Sequence, residues 1–316
     1  MLALTSQQGG AAIAVLLSDY VSPLMASALS IGAGALSLVL WVGRRYIRSV
    51  PRRVYARLRA FLARRRERLT HLLSRIKGLG TAMLLMVAAL AIGNAISNAS
   101  YLYAAQKLPL GTTAALSFLG PLGVSVVKSF RAGTGFRRFT ALLWPVLAGG
   151  GVFFLTNPLQ GPIDGWGVLF ALISAACWAN FLIIMGHITQ ESRHAAHGEK
   201  VVAAATTLSA IVLFTSALIF MSDDWADTHV LVVAMASGLF GSGVPQLLQV
   251  ATLRRVSQST NGVLLGLEPA ISSLIGLIAL SQRLSLLEML GIALVCAAGA
   301  GASRGESRST TSPTRR

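Results

Sequence analysis

Charge is what this sequence most lacks. Only 12% of its residues are charged, and 11 acidic residues face 27 Lys and Arg. A soluble domain carries about a quarter charged residues, so the shortage argues against a water-exposed fold. Cysteine is nearly absent. Cys177 and Cys296 both lie inside apolar runs, with no CxxC and no loop pair, so no disulfide and no cysteine-bound metal is expected. No GxxxxGK[ST] loop is present, which disfavours a nucleotide-phosphate site. HExxH and paired catalytic carboxylates are missing too, so enzyme chemistry is not expected, and neither is a cofactor. His187, His194 and His197 fall in one short stretch, but a metal centre wants further ligands at fixed geometry. They read as a solvated loop, and no metal is expected. No basic segment precedes the first apolar run, so a cleavable signal peptide is not expected.

What is there is apolar, in blocks. Hydrophobic residues make up 54% of the chain, and the mean hydropathy is +0.66. Ten blocks can be read, at roughly 2–18, 22–43, 81–105, 110–128, 139–156, 166–186, 200–221, 229–251, 259–280 and 285–302. Most have the length of about 20 residues that crosses a hydrocarbon core. The first is the weakest, since it contains Gln7, Gln8, Gly9 and Gly10. The expectation is an all-α membrane protein of ten transmembrane helices.

Charge placement tests that count. With a cytoplasmic N-terminus and alternating blocks, segments 44–78, 128–138, 187–200, 252–258 and the tail from 303 hold 13, 4, 2, 2 and 4 basic residues. The outer loops receive only Lys107 and Arg283, while Asp19, Asp164, Asp223, Asp224 and Asp227 all fall outside. This is the bias of the positive-inside rule. It predicts a multi-pass protein of the inner (plasma) membrane with both termini cytoplasmic. It also accounts for the net charge of +16 without nucleic acid as a partner.

The basic insert 44–78 carries its own pattern. Val54, Leu58, Phe61, Leu62, Leu69, Leu72, Leu73 and Ile76 recur at helical spacing, opposite Arg52, Arg53, Arg57, Arg59, Arg64 and Arg66. An amphipathic helix on an anionic leaflet has this signature. A solvated charged loop that only enforces orientation is the other reading.

The two halves resemble one another. LPLGTTAALSFLGP at 108–121 aligns with VSQSTNGVLLGLEP at 256–269, an offset of 148 that superposes Thr112 on Thr260, Leu116 on Leu264, Leu119 on Leu267 and Pro121 on Pro269. Each stretch opens the fourth helix of a five-helix unit. Five is odd, so the second unit is inserted upside down. Inverted repeats of this kind build transporters, with the binding site near the midplane between them. The expected organisation is a first repeat over 1–156 carrying the insert 44–78, a second repeat over 157–303, and a disordered cytoplasmic tail over 304–316.

These residues also carry a family resemblance. Gln8-Gly9-Gly10-Ala11, Leu108-Pro109-Leu110-Gly111, Gly120-Pro121-Leu122, Ala176-Cys177-Trp178-Ala179 and Leu267-Glu268-Pro269-Ala270 occur in the order and spacing of the drug/metabolite transporter superfamily, EamA-type, with Asn98 and Gln106 at matching positions. The sequence is similar to that family over nearly its whole length, apart from 44–78 and the tail. Within the family the nearest pattern is that of the bacterial threonine/homoserine exporters. Ser117 stands where those have a glutamate, Ser30 where they have an arginine, and Gln249 where they have a glutamate. The resemblance implies secondary, outward movement of a small metabolite such as an amino acid or related compound. Self-association as a homodimer is compatible with it. Two rivals have a different character: a non-transporting membrane scaffold acting through the insert, and a polytopic membrane enzyme.

Polar residues inside the blocks are the candidate site. Glu268 is the only acidic residue deep in a block, and burying a charge at the bilayer centre costs at least ~2.5 kcal/mol. It either takes a proton or a substrate amine in a central cavity, or caps a helix broken at Pro269. Pro121 and Pro269 remove backbone donors and should kink their helices. Asn94 and Asn98 share one helix face, as do Gln246 and Gln249. They are substrate hydrogen-bonders or interhelical ties. Gln8, Ser117 and Trp178 complete the candidate lining. Gly149, Gly150, Gly151, Gly238, Gly241, Gly262 and Gly266 read as close-packing positions.

Overall fold

The computed structural model describes residues 1–48, 81–132, 136–156, 164–191, 195–220, 227–246, 248 and 264–310. The basic insert expected as an interfacial helix, and Gln249 and Gly262, lie outside the described residues. The described residues contain no strand. They form α1 (Leu2–Leu17), α2 (Pro23–Arg48), α3 (Thr81–Lys107), α4 (Leu110–Ala132), α5 (Phe136–Thr156), α6 (Gly165–Glu191), α7 (Ala195–Phe220), α8 (Thr228–Gly238), α9 (Glu268–Ala279) and α10 (Leu286–Thr310). A π-helical turn at Leu239–Gly243 continues α8.

Six of these helices are long and apolar enough to cross a membrane: Pro23–Trp41, Leu85–Lys107, Leu110–Val127, Gly165–Ile184, Val201–Ile219 and Thr228–Gln246. Leu2–Leu17, Leu143–Leu155, Glu268–Ala279 and Leu286–Ala302 are apolar but shorter. The sequence expectation of ten full-length spans is therefore met by six helices on length and hydropathy. The physical reasons are local. Arg137 and Arg138 trim the apolar part of α5, and a turn at 266–267 interrupts the ninth block. Two boundaries also move. α6 and α7 run to Glu191 and from Ala195, so His187 and His197 are on helices, and α10 continues past residue 304 to Thr310.

Large apolar side chains stand on the outer faces of the described helices. Leu85, Ile92, Ile96, Leu169, Leu172, Ile211, Ile219, Val232 and Ile278 all stand exposed on helices whose other faces are buried. A helix that is hydrophobic all round belongs in lipid or a large core, and the exposed rows leave lipid as the solvent.

The packing has an order. α3 packs on α6, α4 on α6 and α3 on α7; α8 packs on α1, α9 on α1 and α8 on α2; and α2 meets α7, α4 meets α9, and α5 meets α10. Small residues set the closest approaches. A Cβ on Gly10 of α1 would collide with the backbone of Gly241 in the π turn, and one on Gly120 of α4 with the Ala175 carbonyl of α6. Gly151 and Gly238 also sit against backbone of neighbouring helices, whereas Gly149 and Gly150 face open space and are not packing positions.

The π turn has visible causes. It contains Gly241 and Gly243, and it is held from both sides. Ser6 Oγ donates to the Phe240 carbonyl at 2.7 Å, and Ser237 Oγ donates to the Gly10 carbonyl at 3.1 Å while lying 2.8 Å from Ser30 Oγ. Ser30 thus makes a polar seam between α2 and α8.

Helix ends are capped by short side chains. Ser285 and Glu288 form a reciprocal capping box at α10, with Ser285 N donating to Glu288 Oε2 at 2.7 Å and Glu288 N donating to Ser285 Oγ at 3.2 Å. Asp227 accepts from His229 N at the start of α8, and Asp164 Oδ1 accepts from Gly167 N at 3.0 Å at the start of α6.

Candidate functional site

Three helices bring the site together. On α1, Leu4, Gln8 and Ala12 are buried at four-residue spacing, so Gln8 points inward with its apolar neighbours. On α3, Asn94, Asn98 and Tyr101 share one face by the same periodicity. The ninth block breaks at the turn over 266–267, and α9 begins at Glu268 with Pro269 next. Proline costs little at the first helical position, where its missing N–H has no partner to lose. Pro269 therefore marks a helix start rather than a mid-helix kink. Pro121 does lie inside the continuous α4.

These elements converge on one chain of hydrogen bonds. Tyr101 OH donates to Gln8 Oε1 at 3.1 Å, and Gln8 Nε2 donates to Glu268 Oε1 at 2.7 Å. The phenol holds the amide oxygen, so the amide NH₂ is turned toward the carboxyl. Gln8 is 1% exposed and Glu268 2%. Glu268 Oε2 has no hydrogen-bond partner among the described residues. The carboxyl reaches across to α1 and does not cap its own helix, since α9 has no side-chain cap. The hydrogen bond its carboxyl accepts comes from Gln8.

Buried hydroxyls stand nearby. Ser272 lies one turn beyond Glu268 and beside Tyr101. Thr113 and Ser117 share a face of α4, the helix that packs on α9. Both are buried with no partner among the described residues, whereas the Ser272 hydroxyl lies within reach of Tyr101. An unmade hydrogen bond in a dry interior is costly, so such groups mark space that a ligand or water can use.

Above the polar chain lies an apolar layer. Ala12, Ala105 and Leu110 are buried together, with Val15, Tyr101, Ile275 and Leu280 packed against them. Beyond that layer, the ends of α1, α3 and α9 enclose a pocket of about 570 Å³ lined by Asp19, Gln106, Ser281 and Gln282 among others. Gln282 Oε1 accepts from Leu110 N at 2.9 Å, which fixes the α9–α10 loop to the start of α4. At this same end Lys107 pairs with Asp164 at 3.6 Å. The Gly167 N–H, helped by Lys107, holds the Asp164 carboxyl below the usual carboxylate range.

The remaining sequence candidates lie elsewhere. Asn98 Nδ2 donates to the Asn94 carbonyl at 2.8 Å and to Asn94 Oδ1 at 3.0 Å. Asn94 Nδ2 in turn donates to Ser209 Oγ at 3.2 Å, which ties α3 to α7. Gln246 accepts from Thr206 Oγ1 at 3.4 Å, another tie to α7. Trp178 is half-buried on α6. Of the polar residues singled out in the sequence, Gln8 and Glu268 meet across helices, and Asn94 and Asn98 meet within α3. Tyr101 and Ser272 were missed. The shared face with Asn94 and Asn98 was the available signal for Tyr101.

An all-helical bundle with lipid-facing apolar helices is that of a multi-pass membrane protein. Residues 165–303 match the EamA-like transporter family. The chain is similar to the threonine/homoserine exporter RhtA of Salmonella typhimurium strain LT2, 29% identical over 214 residues, 66% of this chain and 68% of the relative. It is likewise similar to RhtA of Escherichia coli K12, 28% identical over 213 residues with the same shares covered. A crystal structure described only as that of a protein superposes with a TM-score of 0.58 at 18% identity, covering 95% of each chain. That last likeness speaks to the fold alone.

Proposed function

We propose that this protein is a secondary transporter that exports a small metabolite, an amino acid or a related compound, across the inner membrane. The observation that carries the reading is the buried chain Tyr101–Gln8–Glu268, with one carboxyl oxygen left open where α1, α3 and α9 meet. Ion or substrate coupling needs a group that can change charge state inside the membrane, and intramembrane acids are rare and functional by default. Glu268 is that group in this reading, with Gln8, Ser117 and Trp178 as candidate lining and Asn94, Asn98, Gln246 and Gln249 as outlying candidates. The similarity to threonine/homoserine exporters supports the substrate size and the outward direction.

The architecture proposed with it is ten transmembrane helices in two inverted five-helix repeats, 1–156 and 157–303, with both termini cytoplasmic. The helix pairing supports this. Advancing every helix by five positions turns α3·α6 into α8·α1, α4·α6 into α9·α1 and α3·α7 into α8·α2, and maps α2·α7, α4·α9 and α5·α10 onto themselves. The insert 44–78 is proposed to lie on anionic lipid. The scaffold and enzyme readings gain no support from the buried polar chain.

The test is Glu268→Gln in proteoliposomes holding the purified full-length chain. A loss of at least about tenfold in transport rate, equivalent to about 1.4 kcal/mol, is expected. An unchanged rate with unchanged pH dependence would remove Glu268 from the mechanism.

A further inference from the structure

We infer that the π turn of α8 is a positioning device for the Glu268 site: the carbonyl that the turn releases, that of Phe240, anchors α1 through Ser6 and so sets Gln8 against Glu268. This inference rests on the transporter reading above for the role of Glu268, and adds the residues that hold its partner in place.

A proline stands behind the turn. Pro245 comes two residues after Leu239–Gly243, in the helical stretch that continues the turn. In an unbroken α-helix its ring would clash with the Gly241 carbonyl, and the wider π turn ends just before it. The widening releases one carbonyl. The Val244 N–H, which in an α-helix would donate to Phe240, donates to Leu239 instead. Pro245, next in line, has no N–H to offer. Neither donor that helical pairing would bring to the Phe240 carbonyl is therefore available. A backbone group left unpaired inside a membrane is expensive, and serine side chains are among the groups that re-satisfy it. Ser6 Oγ of α1 does so here, donating at 2.7 Å.

This anchor lies back to back with the site. Ser6 and Gly10 are four residues apart and share one face of α1. Gly10 meets the backbone of Gly241, and its carbonyl accepts from Ser237 Oγ at 3.1 Å. Gln8 lies two residues from each, on the opposite face, where its amide donates to Glu268 Oε1 at 2.7 Å. α1 packs on α8, on the π turn and on α9, so it is wedged between its anchor and the carboxyl. A rotation of α1 by one residue step, about 100°, would carry Ser6 off Phe240 and Gln8 off Glu268 together. α3, the counterpart of α8 in the proposed repeat, is an uninterrupted α-helix over Thr81–Lys107, so the turn belongs to the half that carries the acid. Single π turns inside α-helices are frequent at functional sites.

The experiment labels Glu268 with dicyclohexylcarbodiimide, an apolar reagent for intramembrane carboxyls, in the purified full-length protein at one fixed pH. The rate is read from the mass of the Glu268 peptide. Gln8→Ala should raise that rate about fivefold, the effect of losing one hydrogen bond, and Ser6→Ala should raise it nearly as much. Ser6→Thr, which keeps the hydroxyl, should label like wild type. In a Gln8→Ala background Ser6→Ala should add almost nothing, since its effect runs through Gln8. Pro245→Ala, which restores an N–H after the turn, should also raise the rate and add nothing to Ser6→Ala. A hydroxyl that only steadies the bundle would multiply with Gln8→Ala, and that result overturns the inference. So does a wild-type rate in Ser6→Ala or in Gln8→Ala, a failure of Ser6→Thr to restore it, or a Glu268 that stays unlabelled in every form. None of these results depends on cargo flux, so the exporter reading stands or falls separately, on transport by Glu268→Gln.

Discussion

Gln8 Nε2 lies 2.7 Å from Glu268 Oε1, although 260 residues separate the two along the chain. The contact joins the first helix of one half to the ninth helix, in the other half. Any rocking of the halves against each other must therefore stretch or re-form it.

Removing the Tyr101 hydroxyl should loosen this contact without breaking the bundle. Tyr101→Phe keeps the ring against Ala12, Ala105 and Leu110 but frees the Gln8 amide to turn over. One hydrogen bond is worth about 1 kcal/mol net, so transport should fall about fivefold. In a Gln8→Ala background the same substitution should cost almost nothing, because the two act through one another. Equal losses in both backgrounds would show that Tyr101 acts by another route.

Gly10 and Gly149 make a matched pair for stability. A side chain on Gly10 meets the Gly241 backbone, whereas Gly149 has nothing within 4 Å. Gly10→Val should destabilise the protein by about 1–3 kcal/mol through overpacking, read as a lowered melting temperature in detergent. Gly149→Ala should be neutral or slightly stabilising. Equal melting temperatures for the two variants would contradict the close approach of α1 to the π turn.

Asp164 gives a pH signature at the bundle end. Its carboxyl is held low by the Gly167 N–H and by Lys107, so its contribution is present above the ordinary aspartate pKa and disappears as pH falls through the depressed folded value. Asp164→Asn should therefore melt slightly below wild type near neutrality, and the difference should close in acid. A difference that persists unchanged to low pH would mean that the charge is not what Asp164 contributes.

Gln282 should matter for opening rather than for folding. Its side chain fixes the α9–α10 loop to the start of α4, and the neighbouring Ser281 sits at φ 52°, a left-handed conformation unfavourable for serine. Gln282→Ala leaves the Leu110 N–H to water at the pocket and should raise the rate at which a cysteine placed at Ser272 is labelled from outside. No change in labelling would place the outer barrier elsewhere.

Much of this was legible in the sequence, for identifiable reasons. Apolar blocks mark helices because hydrocarbon tolerates nothing else, and Glu268 and Gln8 stood out because polar groups there are rare. Their meeting was not legible, since no local pattern encodes a contact across 260 residues. Tyr101 was overlooked because an aromatic inside an apolar block passes for packing. Asn94 and Asn98 share a face as the spacing implied, but that face runs along a seam: Asn94 turns to Ser209 on α7, Asn98 to Asn94, and Tyr101 to Gln8. The π turn at Leu239–Gly243 could not be read either. Its glycines suggest close packing, but its partners lie outside the helix, where α1 holds Phe240 and Ser237 and α2 meets Ser237.

The offset of 148 that pairs Pro121 with Pro269 also pairs Gly120 with Glu268. Where the second half carries a carboxyl, the first carries only hydrogen, pressed against Ala175. In the transport reading proposed above, one carboxyl holds a single proton or a single cation at any instant, and exchanging one for the other would move no net charge through the bilayer. A potassium diffusion potential imposed on the vesicles should leave the flux unaltered, and an imposed proton concentration difference should drive it.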